Sequence, residues 1–345
     1  MAPQRTPTPL WHLPARTPVA LVQAVVQAYA QRGLDPCGAL IKAQITPKDI
    51  QKPGNHVTAL QFERLCAAAM QELDDEAPGW FSRRLPWGSY GMLARASISA
   101  PTLGVALARW CRHHRLLTED VTLSLTQHGD QARLDIAEHR DLGVLREFAL
   151  LSLLRNVHGL ASWLVDSHIA LRSVQFPLAV PPHADLYARL FPGPVQFSAP
   201  HAALTFDAPY LQLPLRRDAP ALDQMLRRAL PIMVWPYRRD RLLSHRVRRL
   251  LQPAGSVHTA DTLAAQLGLS TRSLHRQLAA EGSSLQALKD EVRCARASVL
   301  LLRTRQPIAR VARAAGFASD KSFARAFRQW TGQTPQEHRQ QGGQA

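Results

Sequence analysis

The stretch that decides the reading is VARAAGFASDKSFARAF, residues 311–327, because it has a counterpart upstream in LAAQLGLSTRSLHRQL, residues 263–278. Leu263 faces Val311, Ala264 faces Ala312, Gly268 faces Gly316 and Leu269 faces Phe317. After one extra residue in the second turn, Ser270 faces Ser319, Leu274 faces Phe323 and Leu278 faces Phe327. The same unit occurs twice, 48 to 49 residues apart. Each copy reads as a short helix, a glycine-containing turn, and a second helix opened by a serine. The glycine accepts positive φ where the first helix stops, and the serine oxygen takes a free backbone N–H where the second starts. Alanines before the glycine let the two helices cross closely. This is the sequence form of a helix-turn-helix.

The second helix of each unit divides into two faces. Leu274 with Leu278, and Phe323 with Phe327, recur at i and i+4 and point to a core. The opposite faces carry Thr271, Arg272, Ser273, His275 and Arg276 in the first unit, and Asp320, Lys321, Ser322, Arg325 and Arg328 in the second. Those residue types read base edges and grip phosphates: arginine binds guanine in bidentate fashion, and serine or threonine reaches a base or a phosphate. Between the units, SLQALKDEVRCARASVLLLRT (284–304) is expected to be one long helix, with Leu285, Leu288, Val292, Ala295, Val299 and Leu302 along one side. A spacer that holds the two units about 34 Å apart lets both second helices enter successive major grooves.

Charge supports a polyanion partner for this part of the chain. The formal net charge is +16 over 345 residues. Residues 241–345 hold 17 Lys and Arg against 6 Asp and Glu, a net +11, and the first 240 residues hold only +5.

Upstream the pattern is mixed, and a chain of this length is expected to form more than one domain. The first 18 residues are proline-rich and basic and read as disordered. Val19–Arg32, Val57–Leu73 and Thr102–Leu116 have helical spacing, Thr102 being placed to cap the third. DDEAPGWFSRRLPWGSYG (74–91) reads as a loop that packs. VTLSLTQHGDQARLDIAEH alternates on both sides of His128-Gly129-Asp130 and reads as a β-hairpin. Leu142–Val165 is apolar enough for a buried helix, and SVQFPL and AALTFDA read as strands around the helical HADLYARLF. The expectation is an α+β domain over residues 19–215, a connection over 216–239 with one helix at Leu222–Leu230, and an all-α domain over 240–340.

Both the C-terminal repeat and its surroundings look like a known family. The runs SLHRQLAAEGSSLQALKDEVRCARASVLLLRT and PIARVARAAGFASDKSFARAFRQWTGQTPQEHR resemble, in order and spacing, the DNA-binding domain of the AraC/XylS family of bacterial transcription regulators. That resemblance implies base contacts from Arg272, His275 and Arg276 in the first unit and from Asp320, Lys321, Ser322 and Arg325 in the second, with Thr271, Ser319 and Arg328 on phosphates. Asp320 departs from the neutral polar residue of many relatives, and Ala324 offers no polar contact. Residues 85–117 and 175–215 resemble the arabinose-binding-type domain that one branch of the family joins to this DNA-binding domain. In that branch the domain is associated with sensing a small molecule and with self-association. The implied partners are double-stranded DNA, RNA polymerase, a small-molecule effector and a second copy of the chain.

Other chemistry finds no motif. There is no phosphate loop with a lysine, no GxSxG, no HExxH and no supportive carboxylate pair, so no enzyme and no cofactor is expected. His113 and His114 are adjacent and point about 100° apart on a helix, which suits a metal poorly. Cys37, Cys66, Cys111 and Cys294 are far apart, without a CxxC pair, as fits a reducing compartment. No signal peptide or membrane span is evident, and a cytoplasmic location is expected. Trp87 and Tyr90 are candidates either for an effector pocket or for the core, and Arg84, His114 and Arg115 either for pairing an anionic effector or for the surface. Two rivals stay open: a regulator without an effector, whose first domain only dimerises, and an enzyme tethered to DNA by the helical domain.

Overall fold

The computed structural model describes residues 16–51, 54–191, 193–227, 240–252 and 258–341. The chain divides into two compact units, Met1–Arg239 and Asp240–Ala345.

The first unit is α+β. Its main sheet has the order β3-β4-β7-β5-β6, formed by β3 Val121–His128, β4 Gln131–Glu138, β5 Leu171–Gln175, β6 Val195–Gln196 and β7 Ala202–Asp207. β3 and β4 make the expected hairpin, with Gly129 at φ +58° in the turn. β7 is antiparallel to both neighbours, and all six of its residues are buried. The helices of this unit include α1 Val19–Ala30, α2 Cys37–Lys42, α3 Pro47–Gln51, α4 Ala59–Glu72, α5 Ser89–Ile98, α6 Leu103–His114, α7 Arg146–Leu164 and α8 Ala184–Leu190, and α6 packs against β3 and α7 against β7. α7 is buried over almost its whole length, as its largely apolar sequence predicts, and it takes Ser152, Arg155 and His158 inside with it.

Several expectations need correcting. Residues 1–15 lie outside the described residues, but β1 Arg16–Pro18 is a strand, not a disordered end, paired antiparallel with β2 His56–Thr58. Strands of three residues are too short to show an alternation, so composition alone misled. Thr102 precedes α6 but its side chain makes no capping bond; its backbone bridges Pro214 instead. The stretch read as a connection carries α9, Ala219–Leu226, three residues earlier than expected, because Asp218 caps it by accepting from the Ala221 N–H at 2.9 Å. Residues 228–239 lie outside the described residues.

The second unit is helical throughout: α10 Leu243–Leu251, α11 Ala260–Leu267, α12 Thr271–Ala280, α13 Leu285–Arg303, α14 Ile308–Ala314, α15 Asp320–Thr331 and α16 Pro335–Gln341. It has two small cores. Leu243, Val247, Leu263, Leu274 and Leu278 form one with Leu285 and Leu288 of α13. Val311, Ala312, Phe323 and Phe327 form the other with Ala297 and Leu301 of α13. At about 100° per residue, the two α13 pairs fall on roughly opposite faces of that helix. The single apolar side expected for 284–304 is therefore corrected: Val299 and Leu302 are about half exposed, at 51% and 47%. Two cores docked on different faces leave no common stripe.

Candidate functional site

The repeat seen in the sequence persists down to single hydrogen bonds. Gly268 and Gly316 have φ of +69° and +82°, values that favour glycine. Leu269 N–H donates to the Ala264 carbonyl and Phe317 N–H to the Ala312 carbonyl, each at 2.9 Å. Ser270 Oγ then accepts from Ser273 N–H, and Ser319 Oγ from Ser322 N–H, each at 3.2 Å. These closures fix the angle between the helices of each unit and so determine which face of α12 and α15 is left outward. The inward residues Leu274, Leu278, Phe323 and Phe327 are all fully buried.

Arg272, His275, Arg276, Asp320, Lys321, Ser322, Arg325 and Arg328 are exposed, as is Ser319. The guanidinium groups of Arg272, Arg276, Arg325 and Arg328 and the Lys321 ammonium form no hydrogen bond or ion pair among the described residues. Three hydroxyls are less available: Thr271 donates to Asp261 Oδ1 at 2.7 Å, Ser319 serves as cap, and Ser322 Oγ donates to the Ser319 carbonyl at 2.8 Å.

Two further residues hold these faces, and neither stood out in the sequence. Glu281, just after α12, accepts from the N–H groups of Leu243 and Ser244 at 2.6 and 2.9 Å and so anchors the start of α10. Arg296 of α13 donates to the carbonyls of Leu251 and Gln252 at the end of α10 and to that of Ala314 at the end of α14. One guanidinium thus meets the C-terminal end of a helix from each half of the unit, where the backbone dipole favours a cation.

The first unit contains a cavity of about 480 Å³. One face each of α4, α5 and α7 lines it, and α8 and α9 contribute Leu186, Leu190, Met225 and Leu226. Trp87 and Tyr90 are on its wall. An acidic run places them: Asp74 accepts from Trp87 N–H at 3.0 Å, and Glu76 accepts from Gly88 N–H at 2.8 Å and Tyr90 N–H at 2.7 Å. Asp75, buried and in contact with Arg32, takes the N–H groups of Ala77, Gly79 and Leu85. Arg84 is corrected: it is exposed and does not line the cavity, because its neighbour Leu85 turns into the core. Tyr90 stacks on Trp110 with centroids 5.9 Å apart, and its hydroxyl lies 3.5 Å from His114 Nε2. Burial lowers His114 to about 4, so that imidazole is neutral at physiological pH.

Sequence comparison places these two units together in known proteins. Residues 33–215, more than half of the chain, match the arabinose-binding domain of AraC transcription regulators, and residues 263–341 match a helix-turn-helix domain. The chain belongs to the AraC family of transcription regulators. It is similar to the ornithine utilization regulator of Pseudomonas aeruginosa, 29% identical over 94% of this chain and 96% of that protein. It also resembles the regulator VirS of Mycobacterium tuberculosis, 26% identical over 90% of this chain and 92% of that one. The crystal structure of the transcriptional regulator CdpR from Pseudomonas aeruginosa matches over 90% of this chain and 98% of its own, at 23% identity and a TM-score of 0.35. This AraC-family chain is thus a DNA-binding transcription regulator and not an enzyme. Among its described residues, no helix is long and apolar enough to cross a membrane.

Proposed function

We propose that this regulator takes a small-molecule effector in the helical cavity of its first unit and reads an operator through α12 and α15. Arg272, His275, Arg276, Asp320, Lys321 and Arg325 contact bases; Thr271, Ser319 and Arg328 contact phosphates. Ser322 is assigned to a base as well, after its hydroxyl turns from the Ser319 carbonyl. The effector acts by population shift: it binds one arrangement of the chain better than the other and so changes affinity for DNA or contact with RNA polymerase. Self-association through the first unit and a cytoplasmic location complete the reading.

The observation that carries it is the cavity. About 480 Å³ is in the range of ligand pockets, and its wall combines aromatic and aliphatic side chains with a few polar groups. Such a space supports an effector site over a first unit that only dimerises. A full-length relative named for ornithine utilization fits a sensor of a small metabolite. The test is DNA affinity of the purified chain on the region flanking its own gene, across a metabolite panel. Some metabolite should shift the affinity severalfold, and Ala67→Trp, which fills the cavity, should abolish that response while leaving ligand-free affinity unchanged. A panel without any response sinks the effector reading and favours the regulator that works by abundance alone.

A further inference from the structure

The cavity has a chemistry specific enough to name a ligand class, an inference that rests on reading it as the effector site. Its aromatic side chains form two groups. Phe148 stands edge-on to Phe62 and to Trp80, with centroids 6.1 and 5.3 Å apart, and Tyr90 lies nearly parallel to Trp110, 15° between planes. Two of these rings hold an unused donor: Nε1 of Trp80 and Nε1 of Trp110 are buried and have no hydrogen-bond partner among the described residues. Both residues line the cavity. Buried indole N–H groups ordinarily find an acceptor, and here a ligand can supply it.

A polar band lies beside the aromatic wall. Along one face of α7, Phe148 and Leu151 are followed within two turns by Ser152, Arg155 and Asn156, all lining the cavity. Arg155 is only 2% exposed, and its guanidinium lies 3.0 Å from His158 Nδ1. Burial lowers Arg155 only to about 10, so it stays charged, and lowers His158 to about 3, so that partner is neutral. Toward the mouth stand Arg95, paired with Asp223, and the exposed Arg189 and Arg227. The acids on the wall are Glu63 and Glu76, and Glu76 is occupied by two backbone N–H groups. Arginine exceeds acid, and arginine is the side chain that matches a planar carboxylate.

We propose that the cavity binds a planar aromatic carboxylate, its ring against the Trp80, Phe148 and Tyr90 surfaces and its carboxylate in the Ser152, Arg155 and Asn156 band. The Trp80 and Trp110 N–H groups meet acceptor oxygens of the same molecule. A sugar fits poorly, since most of its hydroxyls would face Phe, Trp, Leu and Met side chains without partners.

Three probes of the full-length chain test this: 2-naphthoate, its neutral counterpart 2-naphthamide, and decanoate, an anion without a ring. Melting temperature and tryptophan fluorescence are followed against concentration. Naphthoate should bind saturably and at least about tenfold more tightly than naphthamide, the contribution expected of one charge-assisted contact, and more tightly than decanoate, which keeps the carboxylate but has no ring to lie on the aromatic side chains. Trp110→Phe, which removes the N–H together with part of the ring that stacks on Tyr90, should weaken naphthoate severalfold. Arg155→Gln should bring naphthoate down to the naphthamide level; if that variant does not fold, Arg155→Lys, which keeps the charge and loses the fork, should weaken it in part. Equal binding of naphthoate and naphthamide overturns the carboxylate, and tighter decanoate overturns the ring. Failure of all three probes to bind overturns the ligand class, whereas the effector reading itself falls only if the metabolite panel leaves DNA affinity unchanged.

Discussion

The exposed faces of α12 and α15 differ residue by residue in how free they are to act. Arg276 and Arg325 are unengaged, so their cost of rearrangement on binding is small. Replacing either with alanine should lose about 1–3 kcal/mol of specific binding and relax base preference at one position. Arg328→Ala should instead weaken all sequences alike and reduce the slope of log affinity against log salt by about 1, as a lost phosphate contact does. Fluorescence anisotropy on an operator and on mutated operators, over a salt series, distinguishes these outcomes; a uniform loss in Arg276→Ala would show that residue to be a phosphate contact. The identity of these residues was legible in the sequence because capping serines and paired apolar positions fix which face is outward. The engagement of Thr271 with Asp261 was not legible, since it joins helices ten residues apart through a turn whose angle no spacing encodes. Arg84 shows the same limit: its charge nominated it, yet the burial of Leu85 decides its direction.

Among the elements, α13 has the most constrained task. Its 19 residues span about 28 Å, and each end is embedded in a different helix-turn-helix core. A search for one apolar stripe averages those two faces, which is why Val299 and Leu302 seemed inward and Ala297 and Leu301 went unnoticed. Arg293 adds to the second junction by standing over the Phe317 ring at 5.5 Å. Arg296 is the residue that connects both halves, through carbonyls at the ends of α10 and α14. Without it the two halves keep their own cores but lose a shared fastening worth about 1–2 kcal/mol. Arg296→Ala should therefore reduce affinity for an operator with two half-sites by about tenfold while barely changing affinity for a single half-site. Insertion of one base pair between half-sites should also be tolerated better by the variant than by the parent chain. Equal losses on one and two half-sites would mean that Arg296 supports one core only.

On the scale of the whole molecule, the two units divide charge and burial unequally, and this produces distinct responses to pH. The second unit is basic and built from small cores; the first buries titratable groups. The helical faces that form the cavity could not be told from core faces in the sequence, because both are apolar at the same spacing and only tertiary packing decides whether space remains. The same packing buries His114 and His158, lowering them from 6.5 to about 4 and about 3, chiefly by desolvation. The unfolded chain takes up a proton at each near pH 6.5 and the folded chain does not. Their contribution to stability is thus complete above pH 6.5 and is lost as pH falls toward 4. For His114 alone the loss by pH 4 is on the order of 3 kcal/mol. Thermal unfolding of the full chain followed by tryptophan fluorescence reports mainly on the first unit, since only Trp330 lies in residues 240–345. Its midpoint should fall steeply between pH 6.5 and pH 4.5, and His114→Phe should flatten that dependence. The substitution is tolerable because Nδ1 has no hydrogen-bond partner among the described residues and Nε2 has only the long contact to Tyr90. An unchanged pH slope in the variant would place the acid sensitivity elsewhere, with His158 the next residue to replace.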